Sequence, residues 1–395
     1  MRQQPHYFMT IQLSKTIGRN FCYAPWTNIH INPQGDYKTC CGGTINIADL
    51  RRTPIQEVIK SNHLTEIKQA IFNNQEHPNC SNCLRQEQMS SASERSWYDD
   101  ISNCATIDIN NLEDQHLQNL DIRWSNTCNL SCTYCGHDAS SQWAAYQKIP
   151  VERLDYTDTL PNILDLIEQN RSSLKNLGLL GGEPLLQKEN DLLLDVISDS
   201  VNINLITNLS VPLENNKIFE KLLSKKYVAW DISFDTVEDR FEYVRHGATW
   251  DKQLQNIRYL QDCIKDKQGH IIGTAGVYSI YNALNLSTLH DFFSKNNLPN
   301  FRWHALHHPS ILAVANLPKK FKMFAATELT NSIKYHTQPR QINFLQDMAK
   351  NLTTMEADNN KDCLYIYDWH EIQENTYWPN FKHKFNNLWP EYRQI

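Results

Sequence analysis

The segment Cys128-Asn-Leu-Ser-Cys132-Thr-Tyr-Cys135 sets three thiols at C-x3-C-x2-C spacing. It follows Leu120-Asp-Ile122-Arg-Trp124, where apolar residues alternate as they do on a strand with one buried face. A loop of this kind can wrap three thiolates around one face of a cubane cluster. A [4Fe–4S] cluster has four irons to ligate, so three protein thiolates leave one iron open. Chemistry would then take place at that iron. The spacing alone also suits a structural zinc knuckle.

A second motif narrows the choice. Gly181-Gly182-Glu183-Pro184 comes directly after the strand-like Leu177–Leu180. Two glycines let the backbone approach a ligand closely, and Glu183 adds a carboxylate. With Tyr134 in the aromatic place, C-x3-C-x-aromatic-C followed by GGEP resembles the radical S-adenosylmethionine (SAM) superfamily. The resemblance implies that Cys128, Cys132 and Cys135 hold a cluster whose open iron is chelated by SAM. Glu183 would face the SAM ammonium. One electron from the cluster would cleave SAM to methionine and a 5'-deoxyadenosyl radical, which abstracts hydrogen from a substrate.

Residues 117–310 alternate strand-like and helix-like segments. The strands are expected at Leu120–Trp124, Leu177–Leu180, Ile203–Thr207, Val228–Phe234, Ile271–Ile280 and Phe301–Leu306. Helices are expected at Leu160–Leu174, Lys188–Ser198, Asn216–Leu223, Trp250–Lys267 and Leu286–Lys295. Alternating β and α units imply a parallel sheet with right-handed crossovers. Six such units match a partial (β/α)6 radical SAM barrel, and both motifs fall at the C-terminal ends of strands, where parallel barrels place their chemistry. The expected organisation is an N-terminal cluster domain over 1–115, the barrel over 116–316 and a mainly helical C-terminal extension over 317–395.

The N-terminal part has its own thiol pattern. Cys22 is followed by Gly35-Asp-Tyr-Lys-Thr-Cys40-Cys41, and later by Cys80-Ser-Asn-Cys83. Asn32-Pro-Gln-Gly35-Asp36 has the residues of a hairpin turn, which would return Cys40 to Cys22. Four thiolates suffice for a fully ligated cluster, and a four-cysteine zinc ribbon is the plainer alternative. The pattern resembles the SPASM/twitch auxiliary-cluster module in its one-cluster form, placed here before the barrel. Cys83 through Glu87 and Ser93-Glu-Arg95 fit that group too. The resemblance implies an auxiliary [4Fe–4S] cluster on Cys22, Cys40, Cys80 and Cys83. Cys40 is preferred over Cys41 because it satisfies the glycine spacing.

Further SAM contacts are expected at strand ends: Thr207 and Asn208, Ser233 near the ribose, and Arg245 on the carboxylate through its two-pronged guanidinium. A strand-end serine equally serves as a helix cap, and Arg245 equally suits a surface ion pair. Gly273 and Gly276 would let the adenine approach a strand. His304, His307 and His308 would bind substrate or relay a proton. Cys104, Cys263 and Cys363 read as buried small hydrophobes. Trp369, Tyr377, Trp378, Phe381, Phe385 and Trp389 read as packing.

Composition limits the partners. A net charge of −6 over 395 residues argues against a large electrostatic footprint for nucleic acid. No apolar run is long enough for a membrane span, and the N-terminus lacks the core of a signal peptide. Eleven cysteines without an export signal suit metal ligation in a reducing cytoplasm. The resemblance implies an external one-electron donor such as flavodoxin or ferredoxin. It points to a peptide or protein side chain as substrate, with a small metabolite such as a sugar next. A non-catalytic iron–sulfur or zinc protein that binds a partner is the reading from another class.

Overall fold

A computed structural model describes residues 18–50, 52–89, 93–101, 111–113, 115–151, 156–298, 300–355 and 362–394. The chain divides into two compact units. One comprises Met1–Thr127, Val151–Leu205 and Asn215–Ala229; the other comprises Cys128–Pro150, Ile206–Glu214 and Trp230–Ile395.

The first unit begins with the expected hairpin. Gly35 takes a left-handed φ of 81°, a conformation that costs glycine little. Its N–H donates to the Asn32 carbonyl at 2.9 Å. The Asn32 Oδ1 accepts from the N–H groups of Gln34 and Asp36 at 3.1 and 2.9 Å, a side-chain mimic of a backbone turn. Strand β1 (Asn28–Ile31) therefore folds back on β2 (Asp36–Lys38), with Ile31 opposite Tyr37. The short β3 (Ala48–Asp49) pairs antiparallel with β2. On its other side β1 runs parallel to β4 (Asn119–Ile122), which runs parallel to β5 (Asn176–Leu179). The Asn202–Leu205 part of β6 (Asn202–Thr207) pairs with β5, again in parallel.

Leu120, Ile122, Leu177, Leu179, Ile203 and Leu205 are buried to 1% exposure or less. Each such burial contributes about 1.5–3 kcal/mol relative to an exposed side chain. The connections are the helices Tyr156–Gln169, Glu189–Val196 and Lys217–Ser224. The first starts earlier than the expected Leu160. Pro161 lies inside it, whereas proline in a sequence is read as a first-turn residue.

The second unit holds the Trp230–Ser233 part of β7 (Val228–Ser233), β8 (His270–Tyr278) and β9 (Asn300–Ala305). Strands β8 and β9 run parallel, with Gly276 opposite Trp303. Helices Glu238–Val244, Trp250–Ile264 and Leu286–Lys295 connect them. Together the two units carry the six alternating strands and helices expected of the α/β fold. The C-terminal region is helical, as expected: Lys319–Ser332, Pro339–Thr354, Asp362–Thr376 and Phe381–Leu388. Its aromatic residues do pack. Tyr243 stacks on Phe381 with ring centroids 4.3 Å apart, and His370 on Phe385 at 3.8 Å. Among the described residues no helix is long and apolar enough to cross a membrane.

Candidate functional site

The first unit ties the segment around Cys40 to the segment that carries Cys80 and Cys83. The Asn79 side chain donates to Thr39 Oγ1 at 2.9 Å and accepts from the Ile45 N–H at 3.1 Å. Asn82 Nδ2 donates to the Gly42 carbonyl at 3.0 Å. The segment after Cys40 is thus laced to the turn that carries Cys80 and to helix Ser81–Met89, which carries Cys83. Burial, followed by the nearby Cys83, raises the Cys40 pKa; burial and Cys83 push Cys80 up to about 11. Arg95 lies beside Cys22 and Cys83. Its backbone N–H donates to the Cys83 thiol, and its guanidinium grips Glu87, Nε to Oε1 at 3.1 Å. Cys41 has different company. After burial, its pKa is raised by Glu94 and Asp121, not by Cys80 or Cys83. Cys40, Cys80 and Cys83 thus lie within electrostatic reach of one another, Cys22 lies near Arg95, and Cys41 keeps company with Glu94 and Asp121; among the described residues no three such side chains already converge as metal ligands.

The same unit builds the glycine turn after β5. Gly181 and Gly182 have φ of +83° and +26°. A Cβ on Gly182 would lie 2.1 Å from the carbonyl oxygen of Thr127, and one on Gly181 would lie 2.7 Å from Arg123 Cβ. No side chain fits either place. The Glu183 N–H donates to that Thr127 carbonyl at 2.8 Å. Gln187, unflagged by the sequence, holds the turn: its Nε2 donates to the Gly181 carbonyl at 2.9 Å, and its Oε1 accepts from the Trp124 N–H at 3.1 Å. Glu183 is fully buried. Its Oε1 accepts from the Leu185 N–H at 3.1 Å, capping the turn Pro184–Leu186.

In the second unit the Cys128–Cys135 loop is held on several sides. The Ser131 and Thr133 N–H groups donate to the carbonyls of His246 and Val244, both at 2.9 Å. Gly247, at φ +102°, leaves room for the Asn129 carbonyl, which a Cβ there would approach to 3.3 Å. Ser140 Oγ donates to the Leu130 carbonyl at 2.6 Å, and Trp143 Nε1 to the Cys132 carbonyl at 2.9 Å. Trp378 of the C-terminal region packs on Trp143 at 5.0 Å and on His246 at 4.7 Å.

Asn208 reaches this loop: its Nδ2 donates to Asn129 Oδ1 at 2.9 Å and lies 3.8 Å from Cys128 Sγ. Thr207 Oγ1 accepts from the Leu209 N–H at 2.9 Å. Ser233 is half-buried. Arg245 is no surface residue. It is 6% exposed and its Nε donates to Asp235 Oδ2 at 2.9 Å, while Nη1 lies 4.0 Å from Cys132 Sγ. Burial works against its charge, but Asp235 more than offsets this and its pKa rises. Asp235, itself fully buried, also accepts from the Tyr134 hydroxyl at 2.6 Å and, at Oδ1, from the Val277 N–H at 2.8 Å. Burial raises the pKa of Cys132, with Arg245 opposing it.

Several residues read from sequence stand apart. A Cβ on Gly276 would meet the Trp303 ring at 2.3 Å and the Phe234 carbonyl at 2.7 Å, so that glycine serves strand packing. His304, His307 and His308 are exposed. Cys263 is half-buried rather than buried. Cys104 and the Cys363 side chain lie outside the described residues.

Two family models match the chain: the radical SAM superfamily over residues 122–279 and an iron–sulfur cluster-binding domain, SPASM, over residues 22–84. The chain carries a radical SAM domain preceded by a SPASM-type domain. This radical SAM chain is also 36% identical, over 90 residues, to a 7-carboxy-7-deazaguanine synthase of Clostridium acetobutylicum; the match covers 22% of this chain and 36% of that one. Among solved structures it resembles anSMEcpe with bound AdoMet (14% identity, TM-score 0.40, 55% of this chain and 59% of that one). It also resembles Streptococcus suis SuiB bound to the precursor peptide SuiA (18% identity, TM-score 0.40, 68% of this chain and 63% of that one). The chain thus spans about a third of the curated relative and under two thirds of these solved chains.

The cofactors of this radical SAM protein are SAM, the [4Fe–4S] cluster that binds it and an auxiliary [4Fe–4S] cluster. The residues fit them. Thiols are the donors iron–sulfur clusters require, and Asn208 and Arg245 bring N–H groups to Cys128 Sγ and Cys132 Sγ, at 3.8 and 4.0 Å.

Proposed function

We propose that this protein is an enzyme that cleaves SAM reductively and uses the resulting radical to abstract hydrogen from a substrate. The observation that carries this is the glycine turn seated on the Thr127 carbonyl, the residue directly before Cys128, where a Cβ would lie 2.1 Å away. Cys128, Cys132 and Cys135 would hold the SAM-binding cluster. When bound, that cluster supplies the electron that breaks SAM into methionine and a 5'-deoxyadenosyl radical. The protein's own part is orientation and electrostatics. Gly181, Gly182 and Pro184 shape the turn, and Glu183 offers a carboxylate to the SAM ammonium. Thr207, Asn208 and Ser233 line the cofactor, Tyr134 braces the loop, and Arg245 combines its hold on Asp235 with the SAM carboxylate.

Cys22, Cys40, Cys80 and Cys83 would hold the auxiliary cluster, which takes up an electron from the substrate or positions it. The domains we assign are 1–115, 116–316 and 317–395. A peptide or protein side chain is the proposed substrate, because many proteins that join these two modules modify peptides. A flavodoxin or ferredoxin would supply the electron. A small metabolite is the second reading, favoured by the stretch shared with a protein named for a deazaguanine product.

The test is 5'-deoxyadenosine release by the anaerobically reconstituted protein with SAM and reductant, in the presence of size-separated host fractions. Stimulation by the peptide and protein fraction supports the first reading, and stimulation by small molecules alone supports the second. Replacing Cys128, Cys132 and Cys135 together by Ala should abolish release; retained cleavage would overturn the assignment.

A further inference from the structure

Asp235 is the most heavily bonded carboxylate beside the cysteine loop, and sequence gives no hint of its reach. It is fully buried, where an unpaired carboxylate would be very costly. Its Oδ2 accepts from Tyr134 at 2.6 Å and from Arg245 Nε at 2.9 Å, and its Oδ1 accepts from the Val277 N–H at 2.8 Å. Asn282 Nδ2 donates to its carbonyl at 3.2 Å. Four elements therefore fix this one residue: the cysteine loop, the end of helix Glu238–Val244, strand β8 and the turn after it. Arg245 spans from Asp235 to Cys132, with Nη1 4.0 Å from the sulfur. The Tyr134 ring lies 5.9 Å from its guanidinium carbon.

This arrangement is a buried dipole with its positive end on a thiol. Asp235 holds the guanidinium in one orientation, and the guanidinium presents an N–H to Cys132. Hydrogen bonds to ligating sulfurs and nearby positive charge stabilise the more negative, reduced state of an iron–sulfur cluster, so they raise its potential. Cys128 faces the neutral amide of Asn208, and burial raises the pKa of Cys135 with Cys132, Cys128 and Asp138 adding to it.

We propose that Arg245, oriented by Asp235, is a positioning residue that sets the reduction potential of the SAM-binding cluster through Cys132. It would make that cluster easier for the external donor to reduce than its three-thiol ligation alone allows. The inference rests on the reading that these three cysteines hold that cluster.

The experiment is an EPR-monitored redox titration of the reconstituted full chain, wild type against Arg245→Gln and Arg245→Lys, without SAM or substrate. In Arg245→Gln the midpoint of the SAM-binding cluster should move to more negative potential. Arg245→Lys should shift less, because the charge remains while the fork is lost. The auxiliary cluster, on thiols of the other unit, should keep its midpoint in both variants and serves as the internal reference. An unchanged midpoint in Arg245→Gln, with wild-type iron content, overturns the proposal. If Arg245→Gln does not fold, the proposal rests on Arg245→Lys, and an unshifted midpoint there overturns it. A wild-type protein that forms no cluster on these cysteines would instead sink the underlying reading, and iron content reports that separately.

Discussion

The two thiol regions reach a similar end by opposite routes. The auxiliary set takes Cys22, Cys40, Cys80 and Cys83 from three separate stretches of chain, and local loop bonds lace the second stretch to the third. The central set takes its three thiols from eight consecutive residues, and buried side chains from distant elements brace that loop. The first region is laced mainly by asparagine bonds to backbone, with one partly exposed Glu87–Arg95 pair. The second contains a fully buried Asp235. The difference teaches where each is vulnerable: the auxiliary site to loss of any one contributing stretch, the central site to loss of a single buried partner.

The largest effect should come from removing ligands, which also tests whether the two sets are independent. Cys80→Ser with Cys83→Ser should lose about four irons, one whole cluster, and leave the central cluster's EPR signal in place. Cys41→Ser should retain the full iron content, since Cys41 faces Glu94 and Asp121 rather than Cys80 and Cys83. Iron analysis after anaerobic reconstitution decides; iron loss in Cys41→Ser comparable to that in Cys40→Ser would break the distinction.

Next in size is Gly182→Ala. Its φ of +26° and the 2.1 Å approach to the Thr127 carbonyl leave no room for a methyl group. Strain and overpacking together should cost about 2–5 kcal/mol, seen as a lower Tm. Gly178→Ala, on the preceding strand, is the control. Its Cβ would meet the mobile tip of Leu180 at 3.1 Å, so the cost should be under about 1.5 kcal/mol. Similar Tm values for the two variants would refute the tight seat of the turn.

A smaller effect separates the units by pH. His370 is fully buried, and burial holds its pKa down to about 3, against 6.5 when free. Nδ1 faces the Ile366 carbonyl at 2.6 Å and Nε2 the Tyr281 hydroxyl at 3.1 Å. The neutral ring is favoured in the folded state, so its stabilising contribution is complete above pH 6.5 and is lost as pH falls toward 3. His290 and His336, also held down by burial, to about 3 and about 4, act in the same direction. Thermal melts at pH 7 and 5 should show a larger drop for the wild type than for His370→Phe. Equal drops would remove His370 from the account.

Much of this was legible in the sequence, for identifiable reasons. The six strands of the alternating segment appear within about two residues of their expected places, because period-two apolar patterns such as Leu120-Asp-Ile122 survive in the core. The cysteine and GGEP motifs are contiguous, so spacing alone reveals them. The pairing of β1 with β4 left no such trace, since it depends on a long-range parallel register. Nor did Gln187 and Trp143, whose roles come from hydrogen bonds to backbone carbonyls and N–H groups, or Asn129, whose side chain accepts from that of Asn208. Asp235 was visible in Ser233-Phe-Asp235, yet its three donors lie on segments that only folding brings together. Arg245 reads as a surface ion-pairing or ligand-binding residue in sequence, because burial is not a local property.

The smallest change sharpens the comparison most. Tyr134→Phe deletes a single hydroxyl, the donor to Asp235 Oδ2 at 2.6 Å. Asp235 keeps Arg245 and the Val277 N–H, so its charge stays compensated and the variant should fold. A hydrogen bond to a charged partner contributes about 1.5–3 kcal/mol, and the two remaining donors should absorb part of that. The net loss should therefore be about 1 kcal/mol. The phenyl ring keeps its place over the Arg245 guanidinium, where the ring face contributes without the hydroxyl. Chemical denaturation of the apoprotein should thus show a small fall in midpoint with an unchanged slope. The same substitution at Tyr37 of β2, buried with no hydrogen bond to its hydroxyl among the described residues, should be neutral or stabilising. If Tyr134→Phe were also neutral, the central loop would be braced by packing and backbone bonds alone, as the auxiliary loops are by theirs, and the contrast between the two regions would fall.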